Sequence, residues 1–187
     1  MKNSIKKMTY ALVAVSAFAS TSVMARNQIS YNYASIQVID QHLDDYNCSQ
    51  DGLRLGGSLE VSSDFFVQGS YSDVSGNRCG SENLQVGLGY HTLFGADSSL
   101  YGVLGFENTS VDQGESDSGL YVGAGLRGFI HTNLEAKAQL AHHTVHDGNT
   151  VLSGGVAYWF LPTLSVTGDV GLGTETSEIA VGLRLNF

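Results

Sequence analysis

The sequence predicts an all-β fold, a transmembrane antiparallel β-barrel of ten strands, and three observations carry that prediction. The chain begins with an export signal, continues in segments whose apolar residues recur every second position, and stops on a strand whose final residue is Phe187. A period of two is that of a strand with two unlike faces, not of a helix. No stretch approaches the eighteen consecutive apolar residues that a membrane-crossing helix needs.

The first 25 residues, "MKNSIKKMTYALVAVSAFASTSVMA", carry lysines at 2, 6 and 7, an apolar run from about Ala11 to Ala19, and small residues at Val23 and Ala25. This is the pattern of a secretory signal peptide, with cleavage expected after Ala25. Residues 26–187 then form a single barrel domain, the size of one domain rather than two. That domain keeps six basic residues against eighteen acids, a net −12, which argues against a nucleic-acid partner.

The strands follow in order. The first is "ISYNYASIQV". In "LRLGGSLEV", Leu53, Leu55, Leu59 and Val61 share one face, with Arg54, Gly56, Ser58 and Glu60 on the other. "FFVQGSYS" sets Phe65, Val67 and Tyr71 against Phe66, Gln68, Ser70 and Ser72, and "LQVGLGYH" sets Leu84, Val86, Leu88 and Tyr90 against Gln85, Gly87, Gly89 and His91. "LYGVLGFE", "LYVGAGLRGF", "LEAKAQLAHH", "VLSGGVAYWF" and "LSVTGDVGL" continue the pattern to the closing "SEIAVGLRLNF". Merging the first strand or the "SVTG" hairpin would leave eight.

The second face decides between a soluble sandwich and a membrane barrel. It collects glycine, hydroxyls and the charges of Arg54, Glu60, Glu107, Arg127, Glu135, Lys137, Asp169 and Arg184, with Gln68 and Gln85 beside them. A narrow lumen accommodates small residues next to long charged ones, while the apolar face meets lipid and closure leaves no backbone edge unpaired. Strands of about ten residues tilted near 40° span roughly 25 Å, the height of a lipid-facing band. Connections alternate between short ones ("SSD", "TLFGADSS", "HTN", "LPT") and generally longer, more acidic ones ("DQHLDDYNCSQD", "DVSGNRCGSEN", "NTSVDQGESDSG", "HDGN", "GTETS"), as expected of periplasmic turns and outer loops. Three segments share a glycine-rich strand, tight turn and second strand, and Pro162 lies in the last such turn, where its missing donor costs no ladder bond. Phe65, Phe129, Trp159 and Phe160 near the turns, and tyrosines 71, 90, 101, 121 and 158 near strand ends, are expected to form interfacial girdles.

The ending "VGLRLNF" resembles the carboxy-terminal signal of bacterial outer-membrane proteins. That resemblance implies recognition of Phe187 by the barrel assembly machinery. "ISYNYASIQV", "GLRLGGSLEVSSDFFVQGSYS" and "LQVGLGYH" together resemble the Ax21-type family of small outer-membrane β-barrel proteins. The family likeness implies a location in the cell outer membrane and no catalytic residues.

Candidate sites are few. Cys48 and Cys79 fall in the first two outer loops, where a disulfide is the favoured reading and free thiols or a metal site the alternatives. In "HHTVHD", His142 and His143 point to opposite faces, so metal binding competes with plain polar residues at a membrane rim, as it does for His146 and Asp147. Asp44, Asp45, Asp51, Asp112, Glu115 and Asp117 do not fit the fixed spacing of a calcium loop and read as solvated charge or as cation sites shared with lipopolysaccharide. No nucleophile and base stand in a defining motif, so no enzyme, cofactor or resident metal is expected. Arg127 and Glu135 are expected to pair across the sixth and seventh strands at one level.

Two functions fit this sequence. One is a structural or surface-interaction barrel with a largely filled lumen; the other is a narrow porin-like channel for small polar solutes or ions. Either version implies a monomer in contact with outer-membrane lipid and lipopolysaccharide, reaching the membrane through periplasmic chaperones.

Overall fold

A computed structural model describes residues 29–43, 48–77, 79–95, 97–112, 114–145, 148–174 and 176–187. The expected signal peptide, Asp44, Asp45, His146 and Asp147 lie outside these residues. Ten antiparallel strands form a closed barrel: β1 (Tyr33–Leu43), β2 (Cys48–Glu60), β3 (Phe65–Gly76), β4 (Gly80–Leu93), β5 (Ser98–Val111), β6 (Asp117–His131), β7 (Leu134–His143), β8 (Asn149–Trp159), β9 (Leu164–Gly173) and β10 (Thr176–Asn186). Each strand pairs with its sequence neighbours, and β1 closes onto β10 in a continuous register from Tyr33↔Asn186 to Leu43↔Thr176. Closure leaves no open edge, the condition for backbone in hydrocarbon.

The alternation assigns the faces. Val38, Leu53, Leu55, Val86, Leu88, Leu104, Val122, Leu140, Val170, Val181 and Leu183 all lie exposed on the outside. Exposed apolar side chains on every strand of a closed barrel make a lipid-facing band, and this is the fold of an outer-membrane β-barrel. The inner face carries the glycines and the polar residues. Lumen glycines make room for rings laid against the wall: a Cβ on Gly89 would strike the ring of Phe66, one on Gly87 or Gly105 that of Tyr121, and one on Gly125 that of Tyr101.

Four features depart from the sequence expectation. The first strand begins at Tyr33 rather than Ile29, and residues 29–32 stand outside the ladder with Ile29, Ser30 and Tyr31 buried. Strands also run on beyond the apolar stretches, so Asp40, Asp51 and Cys48 sit in strands rather than in a loop. An antiparallel ladder is held by backbone hydrogen bonds and needs no apolar side chains to propagate above the lipid.

The third departure concerns the girdle. Phe65, Tyr71, Tyr90, Tyr158 and Phe160 face outward, but Tyr101, Tyr121 and Trp159 are buried in the lumen, and Phe129 packs against the inner cluster. Their parity in the strand, not their aromatic character, fixes their side. Finally, a level pairing of Arg127 with Glu135 needs a turn centred on His131, but the turn lies at Thr132 and Asn133 with His131 opposite Leu134; a register shift between Phe129 and His131 then sets Arg127 opposite Lys137 and Glu135 opposite Phe129, so positions 127 and 135 are diagonal neighbours. The extra residue is Ile130, whose side chain faces outward at 67% exposure.

Candidate functional site

The lumen is the site. Its wall is built from alternate residues of all ten strands, and its charges are arranged in three tiers between the turn end and the loop end.

The tier at the turn end is the most enclosed. Glu135 on β7 lies between two arginines: its Oε1 accepts from Arg127 Nε on β6 at 2.5 Å and from Arg184 Nη1 on β10 at 3.2 Å. The three side chains are at most 9% exposed. Arg184 is held further by Asn186 Oδ1 at 3.0 Å, its guanidinium lies 4.3 Å from the centre of the Tyr33 ring, and it stands 5.3 Å from that of Trp159. Buried guanidinium groups persist when each finds an anion and planar aromatic contact.

Residues 29–32 occupy the lumen at this same end. The Tyr31 ring stacks on His91 at 4.2 Å and on Phe66 at 4.4 Å, and its hydroxyl hydrogen-bonds Ser99 Oγ at 2.9 Å. The Arg127 guanidinium lies over the Tyr31 ring, 4.9 Å from its centre. Glu60 accepts from the Tyr31 amide at 3.1 Å and from Asn32 Nδ2 at 3.2 Å, while Arg184 Nη2 donates to the Ser30 carbonyl at 3.0 Å. A short segment outside the ladder is thus held by side chains of six wall strands, β2 to β6 and β10.

In the middle tier, Lys137 Nζ approaches Asp169 Oδ1 at 2.8 Å, and Gln37 Nε2 donates to Asp169 Oδ2 at 2.6 Å. Tyr101 donates to Gln139, and Gln68 donates to the Tyr121 hydroxyl. Between these groups lies a cavity of about 220 Å³, bounded also by Tyr33, Arg54 and Gln85. Toward the loop end, Arg54 makes a two-pronged contact with Glu178 at 2.6 and 2.5 Å. Glu107 accepts from Gln85 at 3.2 Å and is 2.7 Å from His143 Nδ1, whose ring stacks on Tyr121.

The eight charged residues singled out in the sequence therefore all face inward, each beside a partner. Arg127 and Arg184 with Glu135, and Lys137 with Asp169, join such residues to one another. Arg54, Glu60 and Glu107 instead find Glu178, Asn32 and the Tyr31 amide, and His143. Glu178 is not among the eight, although the alternation of β10 places it on the face of Arg184. Position 31 offered no such signal, because its packing depends on chain entering the lumen outside the strand pattern.

Cys48 and Cys79 are joined by a disulfide at the loop end, linking the start of β2 to the residue before β4. His142 faces outward beside Thr150 while His143 points into the lumen, so the two do not converge. Among the described residues, no group of three or more His, Cys, Asp or Glu could hold a metal ion. Asp51 is exposed on the outside of β2.

No protein-family model matches the chain, and no curated protein matches it. Solved structures do. A KdgM porin in complex with disordered oligogalacturonate is 12% identical over 82% of this chain and 99% of its own, with a TM-score of 0.50. The translocator domain of the autotransporter NalP from Neisseria meningitidis is 10% identical over 100% and 96%, with a TM-score of 0.44. The Yersinia pestis outer-membrane protein Ail, in a phospholipid bilayer nanodisc, is 19% identical over 82% and 99%, with a TM-score of 0.43. Identities this low speak to fold alone and do not single out the Ax21-type family. The KdgM likeness shows a shared fold, and the closed barrel with its outward apolar band makes this chain a small outer-membrane β-barrel protein.

Proposed function

We propose that the barrel is a narrow porin-like passage for small polar solutes. The observation that carries this reading is the polar lining of the lumen around its central cavity of about 220 Å³. At about 30 Å³ per water, that volume corresponds to roughly seven waters, a wet compartment rather than a packed core. The wall charges occur as opposite-sign neighbours: Arg54 with Glu178, Lys137 with Asp169, and Arg127 and Arg184 with Glu135. A lining neutralised in this way offers no ring of like charge to concentrate one ion, so uncharged polar solutes suit it at least as well as ions.

Swelling of proteoliposomes in iso-osmotic solutes tests the passage. The full chain and a variant lacking residues 26–31 are compared with protein-free liposomes. Urea and glycerol should enter faster through protein-containing vesicles, and a trisaccharide should not. Rates equal to those of protein-free liposomes for both chains would reject the passage.

That negative result would favour a second reading, a structural or surface-interaction barrel with a filled lumen. The buried Arg127, Glu135 and Arg184 cluster and the enclosed Tyr31 support it. Under either reading, Phe187 serves as the assembly signal, outer-membrane lipid and lipopolysaccharide surround a monomer, and periplasmic chaperones deliver the chain. Membership of the Ax21-type family belongs to the same proposal and rests on the sequence motifs alone.

A further inference from the structure

We propose that residues 29–31 are a releasable stopper, and that the turn end of the lumen is a peptide-binding site for which this tyrosine-centred segment is the resident ligand. The inference rests on the passage reading for its consequence, closure of the lumen at rest, but the binding site itself stands on separate observations.

The first observation is that the segment touches barrel closure only through its last residue, where the Asn32 carbonyl accepts from the Phe187 amide at 3.3 Å and Asn32 Oδ1 from the Glu60 amide at 2.8 Å, so residues 29–31 can leave with Asn32 in place. β1 pairs with both neighbours from Tyr33 onward, and residues 29–32 stand outside that ladder. Withdrawal would leave all ten strand pairings intact. The second is that the segment is nevertheless bound specifically, through both its side chains and its backbone. A ring stacks on both Phe66 and His91, a phenol meets Ser99, an amide meets Glu60, and a carbonyl meets Arg184. These contacts come from β2, β3, β4, β5 and β10, which surround the segment.

The third observation is that the wall groups keep partners without it. Arg184 retains Glu135 and Asn186, and Arg127 retains Glu135. Glu60 has a side chain 30% exposed and can return to water. A site whose charges stay paired in both states supports two states, because neither leaves an isolated buried charge. If cleavage follows Ala25, only Arg26, Asn27 and Gln28 precede the stopper, a length that can slip out without unthreading a domain.

Ser99 lies beneath the Tyr31 hydroxyl and is fully buried, so it makes a reporter of release. In Ser99→Cys the introduced thiol is the free one, since Cys48 and Cys79 are bonded to each other. A small hydrophilic methanethiosulfonate is applied to folded protein in detergent, with folding checked by the heat-dependent shift in gel mobility. Adding Tyr31→Ala, or deleting residues 26–31, should speed labelling about tenfold or more, as expected when a local closed state is lost. The synthetic peptide Ile-Ser-Tyr-Asn, supplied in trans, should restore protection to the deletion variant, and Ile-Ser-Ala-Asn should not. Glu60→Gln, which leaves the ring contacts in place, should give an intermediate rate and serves should the deletion fail to fold. Labelling unchanged by all of these substitutions would overturn the stopper, as would a deletion variant that the peptide does not protect. Because labelling does not depend on conduction, a silent channel with a releasable segment would reject the passage and keep the binding site.

Discussion

Replacing Glu135 by Gln keeps the size and shape of the side chain and removes the anion that two buried guanidinium groups share. Arg127 and Arg184 are 6% and 9% exposed at the edge of the lumen cavity, so water replaces the lost anion only in part. Loss of one partner from a buried ion pair costs about 3–5 kcal/mol, because a charge is left without compensation. Here the cost should fall near the lower end, about 3 kcal/mol, since Arg184 still donates to Asn186 and to the Ser30 carbonyl. Equilibrium unfolding by urea in detergent measures it, and the emission of Trp159, the chain's single tryptophan, reports from within the cluster. A double-mutant cycle with Arg127→Met should return a coupling of about 2 kcal/mol. Exchanging the two residues should not recover the loss, because an arginine at position 135 would confront Arg184. A cost below about 1 kcal/mol for Glu135→Gln, or a coupling indistinguishable from zero, would refute the buried triad.

Three further outcomes follow from the same geometry. Replacing Cys48 and Cys79 by serine should lower stability by up to about 3 kcal/mol through the unfolded chain, while the barrel still inserts, because the closed ladder remains; non-reducing mass spectrometry and urea unfolding check both parts. Gly89→Val should displace the Phe66 ring and cost about 1–3 kcal/mol by overpacking, whereas Gly168→Val, at a position with open space on the outer face, should cost well under 1 kcal/mol in the same unfolding assay. Deleting Phe187 should reduce outer-membrane yield in cells while leaving refolding in detergent intact, as heat-modifiable gel mobility will show; unchanged yield would remove the assembly-signal proposal.

Much of the fold was legible because a lipid-facing barrel makes alternation compulsory. A residue such as Arg54 or Lys137 has one tolerable side, so parity from Leu53 or Leu134 assigns it without knowledge of any contact. Lateral partners are harder. Arg54 meets Glu178 across a gap of 124 residues, and only the closure of β1 onto β10 brings them near. A two-residue repeat fixes sides but not where a hairpin turns: levelling Arg127 with Glu135 needs a turn centred on His131, whereas the turn falls at Thr132 and Asn133, and the bulge at Ile130 brings the two residues to one face as diagonal neighbours. Aromatic residues mislead for a related reason: Tyr90 and Tyr101 look alike in sequence, yet one is outside and the other under the lumen cluster. Tyr31 lies beyond the reach of any repeat, since its place is set by a pocket assembled from five strands.

Single-channel recording in planar bilayers tests the central claim, a polar passage closed at its turn end by residues 29–31. The full chain should spend most of its time closed with brief small openings, and the chain lacking residues 26–31 should conduct steadily, with the peptide Ile-Ser-Tyr-Asn blocking it from one side only. A folded deletion variant that stays silent would contradict the passage, and steady conductance of the full chain identical to that of the deletion variant would contradict its closure.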